Sequence, residues 1–116
     1  MVTDDPFFKF EGDLRRGVIA LATLSQLVTA QYGYSLRQKL TEQGMEIEEG
    51  TLYPLLRRLE SQGLLTSEWR IEDGPPRRYY VLSDEGRRLY PQLVNSWRNL
   101  SAVMENLFKE GPLNDV

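Results

Sequence analysis

The chain has 116 residues, enough for one compact domain and one further helix given over to association. It holds neither cysteine nor histidine, which removes disulfides, a thiolate nucleophile, a Cys-based zinc site and the commonest general base and metal ligand. No paired acids stand in a catalytic setting either, so an enzyme, a metal site and a cofactor are not expected. The net charge of −3 opposes nucleic-acid binding, but the acidity is uneven. Residues 1–13 set Asp4, Asp5, Glu11 and Asp13 against Lys9 alone, and the middle of the chain is close to balance. Contact with phosphate would have to come from local clusters.

Residues 1–12 read as a tail, without the basic start of a signal peptide. The longest apolar run, Val18 to Leu24, is short of the ~18 residues that span a bilayer, so a cytoplasmic protein is expected. A first helix is expected from about Asp13 to Thr29, with Leu14, Val18, Leu21, Ala22 and Val28 as its apolar stripe and Ile19, Leu24 and Leu27 broadening it. Tyr32-Gly33 interrupts the pattern, and a shorter helix follows from about Tyr34 to Gln43, closed by Gly44.

The third helix, Glu49 to Gln62, has the clearest pattern. Leu52, Leu55, Leu56 and Leu59 fall at i, i+3, i+4 and i+7, leaving Arg57, Arg58 and Ser61 outward, and Gly63 ends it. Leu64–Arg70 and Arg78–Leu82 read as two strands around a turn-forming tip with Gly74-Pro75-Pro76. Ser83 is the expected N-cap of a last helix reaching about Lys109. In it Leu93, Trp97, Leu100, Met104 and Leu107 are spaced 4-3-4-3, widened by Tyr90, Val94 and Phe108, while Pro91 predicts a kink or break. A seam of this kind at the end of a small domain needs a partner, most simply a second copy.

Three helices, a hairpin and a last helix give a mainly α fold with a β-hairpin. This is a winged helix-turn-helix over 13–83, a dimerisation helix over 84–110 and a tail over 111–116. The third helix is the candidate reader of a major groove through Thr51, Tyr53, Pro54 and Arg57. Periodicity leaves equally open that Thr51 only starts the helix and that Arg57 and Arg58 are merely solvated. Arg70, Arg77 and Arg78 surround the hairpin tip, where pairing with Glu72 or Asp73 is the simpler account. Trp97 serves either as plain interface packing or as a stacking surface. A winged-helix module that binds protein and not DNA is the alternative that the acidic balance allows.

The run Glu49-Gly50-Thr51-Leu52-Tyr53-Pro54-Leu55-Leu56-Arg57-Arg58-Leu59-Glu60-Ser61-Gln62-Gly63-Leu64-Leu65, with Tyr32-Gly33-Tyr34-Ser35-Leu36 before it and Arg77-Arg78-Tyr79-Tyr80-Val81-Leu82-Ser83-Asp84-Glu85-Gly86 after it, resembles the PadR family of transcriptional regulators. The likeness spans about Leu14 to Phe108, and Ser96-Trp97 resembles the small, multidrug-responsive subgroup. It implies a homodimeric repressor on double-stranded DNA with a pseudo-palindromic operator, no membrane partner, and a small planar aromatic effector at the dimer centre. By matching positions it implies that Tyr34, Ser35, Thr51, Tyr53, Pro54, Arg57, Arg77 and Arg78 face DNA. Gly17, Val18, Leu21, Leu93, Trp97 and Ser101 would line the ligand cavity. Leu14, Val18, Leu93, Trp97, Leu100, Met104, Leu107 and Phe108 would meet the partner. Ser101 stands where an acid suits cationic ligands, and Glu48 where a small polar residue is usual.

Overall fold

A computed structural model describes residues 5–110. Its elements in chain order are α1 (Pro6–Ser25), β1 (Gln31–Tyr32), α2 (Gly33–Glu42), α3 (Glu49–Ser61), β2 (Leu65–Arg70), β3 (Arg77–Leu82) and α4 (Asp84–Glu110). The winged helix-turn-helix layout with an added C-terminal helix is therefore the one the helix order led us to expect. The segment 111–116 lies outside the described residues.

Two boundaries differ from expectation. The segment read as a tail is helical from Pro6, because Asp5 accepts a hydrogen bond from the Phe7 amide (2.9 Å) and Pro6 occupies the first turn, where its missing N–H is not needed. Phe7 and Phe10 thereby extend the Leu14 stripe toward the N-terminus. At the other end α1 stops at Ser25, short of Thr29. Leu27 leaves the helix to be fully buried, and its carbonyl accepts the Leu82 amide at 2.8 Å. That bond turns the chain onto the hairpin, where Gln31 and Tyr32 pair with Tyr80 and Tyr79 as a strand that periodicity did not reveal. Two residues are too few to show an alternation.

The sheet is thus three-stranded and antiparallel, ordered β1-β3-β2, with Leu65 opposite Leu82, Ser67 opposite Tyr80 and Trp69 opposite Arg78. The core is assembled on α3, whose Leu52, Leu55, Leu56 and Leu59 are all buried. Leu36 and Leu40 of α2, Leu24 of α1, Ile47, and Leu65, Tyr80 and Leu82 of the sheet complete it. Both α2 and α3 end in the same hydrogen-bonded motif. Met45 N bonds Leu40 O (2.8 Å) and Leu64 N bonds Leu59 O (3.0 Å). The intervening Gly44 and Gly63 hold positive φ of 97° and 88°.

Ser83 caps α4 as expected, accepting from Gly86 N (3.0 Å) and donating to Gly63 O (2.6 Å), so one hydroxyl ties the end of α3 to the start of α4. The break expected at Pro91 does not occur: α4 runs unbroken through it for 27 residues, about 40 Å at 1.5 Å per residue. Proline removes one helix bond, to the carbonyl of Arg87, and both residues lie on the exposed side, where solvent can replace that bond. No helix among the described residues is long and apolar enough to cross a membrane.

Gly86 is the tightest joint of the fold. A Cβ there would overlap the main-chain oxygen of Leu64, which cannot move without disturbing the end of α3. Gly86→Ala is expected to lower the urea midpoint by the equivalent of about 1–3 kcal/mol without changing m, the cost typical of an overpacked contact. An unchanged midpoint would show that α4 can slide on the domain.

Candidate nucleic-acid interface and apolar groove

One face of the first turns of α3 points away from the core. Thr51, Pro54 and Arg57 are exposed at a spacing of three, one face of the helix opposite its leucines. Tyr53 is half-buried and lies across the start of α2, so close to Gly33 that a Cβ there would strike its ring. Tyr34 is exposed, stacked on Tyr32 with ring centroids 6.5 Å apart, and its hydroxyl accepts from Gln38 Nε2 at 3.1 Å. Ser35 turns inward: its hydroxyl is within hydrogen-bond distance of Gln31 Oε1 (2.9 Å) and of the Tyr32 carbonyl (3.0 Å). Its hydrogen is thus taken up within the domain. Arg37 joins α2 to the approach to α3 by bonding Ile47 O (3.1 Å) and Glu49 (3.2 Å). Glu49 stands at the mouth of α3, and Arg37 offsets part of its repulsion toward an approaching phosphate.

The hairpin arginines do not pair with Glu72 or Asp73. The Arg77 guanidinium lies 4.6 Å from the centre of the Tyr32 ring, and Arg70 lies 4.3 Å from that of Tyr79. Tyr32 and Tyr79 meet edge to face at 5.3 Å, so rings and cations alternate across the outer face of the sheet. The hydrogen bond from Arg70 to Glu68 (2.8 Å) raises the guanidinium pKa above its ordinary value. Arg78 is on the opposite, inward face and bonds Ser67 Oγ (2.9 Å) and Glu60 Oε1 (3.0 Å).

Between α3 and the hairpin these side chains enclose a cleft of about 420 Å³ that brings together Tyr34, Tyr53, Arg57, Arg77 and Arg78. Thr51 opens instead onto a second hollow beside Phe8, Arg15 and Arg58, while Ser35 and Pro54 line neither. Sequence reasoning missed Tyr32 and Trp69, both of which line the cleft. The alternation Leu65, Ser67, Trp69 signalled that Trp69 shares the inward face of β2. Nothing in the sequence signalled Glu60 or Ser67, whose pairing depends on how the hairpin crosses α3.

A separate apolar groove of about 410 Å³ runs between α1 and α4. Gly17, Val18, Leu21, Leu93 and Trp97 all line it, and Leu14 and Leu100 stand at its rim. Ser101 does not; its hydroxyl bonds back to the Arg98 carbonyl at 3.1 Å. Farther along α4 the seam leaves the domain, with Leu100, Met104, Leu107 and Phe108 exposed, as is Leu14 on α1. No group of three acids that could hold a metal occurs among the described residues.

The sequence pattern of the Transcriptional regulator PadR-like family matches residues 21–92. A PadR-family transcriptional regulator from Eggerthella lenta DSM 2243 is 44% identical, with a TM-score of 0.81 over 93% of this chain and 96% of that one. A Streptococcus transcriptional regulator is 34% identical, with a TM-score of 0.73 over 81% and 95%. Transcriptional regulator Rv3488 of Mycobacterium tuberculosis is 48% identical over 56 residues, 48% of this chain. The match spans about half, 52%, of that relative's length.

Tyr32 links α2, the sheet and Arg77. Tyr32→Leu is therefore expected to destabilise the chain by about 1–2 kcal/mol through its lost ring contacts, with Tyr32→Phe close to wild type in the same denaturant titration. Equal losses for Leu and Phe would assign the effect to the hydroxyl instead.

Proposed function

The chain belongs to the Transcriptional regulator PadR-like family, and from that premise we propose that it represses transcription as a homodimer on a pseudo-palindromic operator. DNA-binding regulation follows from the membership. The finer reading rests above all on the exposed apolar seam of α4, where Trp97, Leu100, Met104 and Leu107 are 43–59% exposed. A contiguous apolar patch of this kind on a small domain marks an association surface. Its spacing suits a helix partner, and α1 of a second copy, with Leu14 75% exposed, offers the matching stripe.

In this reading each α3 enters a major groove with Thr51, Tyr53, Pro54 and Arg57 forward, while Tyr34 and Ser35 at the start of α2 flank the backbone and Arg77 reaches phosphate from the hairpin. The apolar groove beside Trp97 takes a small planar aromatic effector, whose preference for one separation of the two reading heads releases the operator. Gly17 and Trp97 both line that groove, and a Cβ at position 17 would meet nothing within 4 Å, so the α1 wall is open there.

Selection from a random DNA pool is expected to return a two-fold symmetric site bound about 10³-fold or more above random sequence. A preference under about tenfold at that assay's salt would sink the repressor reading. Leu100→Glu with Met104→Glu is expected to convert the dimer to monomer in sedimentation velocity and to abolish operator binding. A double variant that still sediments as a dimer would place the interface elsewhere. Planar aromatic compounds are expected to quench Trp97 fluorescence in a Trp69→Phe background and to weaken operator binding in parallel. Quenching without release would leave the groove a binding site with no regulatory consequence.

A further inference from the structure

We infer that Arg78 is a positioning residue of the DNA-binding surface and not one of its phosphate contacts; the inference rests on the DNA-binding reading above. Three elements meet at its guanidinium. Nε donates to Ser67 Oγ of β2 (2.9 Å), Nη2 donates to Glu60 Oε1 of α3 (3.0 Å), and Ser67 Oγ donates to Glu60 Oε2 (2.7 Å). The three bonds close a ring joining the recognition helix to both strands of the hairpin.

Its surroundings separate Arg78 from the other arginines of the cleft. The Arg78 and Glu60 side chains are 39% and 27% exposed, whereas Arg57 and Arg77 are open to solvent and neither forms an ion pair with an acid among the described residues. Arg78 stands opposite Trp69 on the inward face of the hairpin, between the Trp69 ring (5.9 Å) and the Tyr80 ring (5.6 Å). A guanidinium that spends Nε–H and an Nη2–H inside the domain, and whose charge is matched by a carboxylate, has less left to displace counterions from DNA than Arg57 or Arg77. It has much to give the hairpin. Beyond Tyr80, which is 6% exposed, the strands have left the core, with Trp69 and Arg77 already exposed. The ring through Glu60 is the polar tie holding that outer stretch against α3. Glu60 lies in the last turn of a helix whose first turns present one face outward, so the tie fixes the direction of the hairpin relative to the reading residues. Lysine could keep the charge but not bond two acceptors in this fixed fork.

The test compares Arg77→Ala, Arg78→Ala, Arg78→Lys and Glu60→Gln in the full-length chain, on the selected operator and on random DNA, over a range of salt. Arg77→Ala supplies the yardstick. Losing one phosphate contact per subunit should flatten the log K against log salt slope by about 0.9 per contact, about 1.8 per dimer. Arg78→Ala is expected to leave that slope within about 0.5 of wild type and to reduce the operator-to-random ratio about tenfold, the size of one misread base pair. Arg78→Lys should match Arg78→Ala. Glu60→Gln should lower the ratio while tightening binding to random DNA, since it releases a cation. In the free protein, backbone amides of β2 and β3 should exchange faster in all three clasp variants, with α2 and α4 unchanged.

A slope that flattens in Arg78→Ala as it does in Arg77→Ala, together with full rescue by lysine, makes Arg78 a phosphate contact and overturns the inference. Unchanged amide exchange in the hairpin overturns it equally. A wild-type chain with no preferred sequence removes the DNA reading itself, and the inference with it. Flattening in the Arg78 variants alone leaves the DNA reading standing.

Discussion

The leucine face of α3 is the constraint on which the other elements depend. Each of its four buried leucines contributes on the order of 1.5–3 kcal/mol by leaving water, and together they share one buried cluster with residues of α1, α2 and the sheet. Because that face is buried, the opposite face is committed outward, and its first turns carry Thr51, Pro54 and Arg57. The helix can then be read as a rod with one face locked into the core along its length and the other face open to solvent. Its C-terminal end is anchored twice, through the Leu64 amide on Leu59 and through the Ser83 hydroxyl on Gly63.

Electrostatics explains how an acidic chain can offer a DNA-binding face. Net charge counts Glu60, Glu68 and Glu49 at full value, yet each is within 3.2 Å of an arginine, and the Arg37–Glu49 and Arg78–Glu60 pairs each join two elements. On the proposed reading the uncommitted cations of the cleft are few, Arg57 and Arg77, so affinity from phosphate alone would be modest and shape must carry more of the recognition. Aromatic rings supply that shape. Tyr32, Tyr34, Tyr53 and Trp69 wall the cleft with little side-chain freedom to lose on binding.

Helix periodicity made most of this architecture legible. The Leu52–Leu59 spacing, the two closing glycines and the Ser83 cap are local signals, and local signals suffice where the neighbours that matter are within one turn. Reading failed where the deciding contact is distant. Leu27 leaves α1 because its carbonyl meets Leu82, 55 residues on, and β1 exists because Tyr32 finds Tyr79. The helical start at Asp5-Pro6 is a different kind of miss, since a cap and an N1 proline stood in plain view beside an acidic stretch read as a tail. At the site, the exposed residues of α3 followed from its pattern. The partner of Arg78 did not, because Glu60 and Arg78 meet only through the angle at which the hairpin crosses the helix.

The groove and the reading surface are joined by a short run of chain. Leu59 and Leu64 line the groove beside Trp97 and Leu93, while the residue after Leu59 is Glu60, which holds Arg78. Anything that fills the groove therefore presses on the turn between α3 and β2, one residue from the clasp that orients the hairpin. A change at the groove could alter the reading surface in two ways, by rotating α4 and with it a partner's head, or by shifting Leu59 and loosening the hairpin within one head. The two differ in reach. Rotation of a 40 Å helix amplifies a small displacement at Trp97 into a large one at the far head, whereas the path through Leu59 acts over one helical turn. Coupling by rotation requires the seam from Leu100 to Leu107 to be clamped by a second copy. Coupling through Leu59 does not, and so would survive in a monomer. On the proposed reading the first route dominates, because the core around Leu59 is close-packed and yields little, while α4 beyond Trp97 is exposed along its seam.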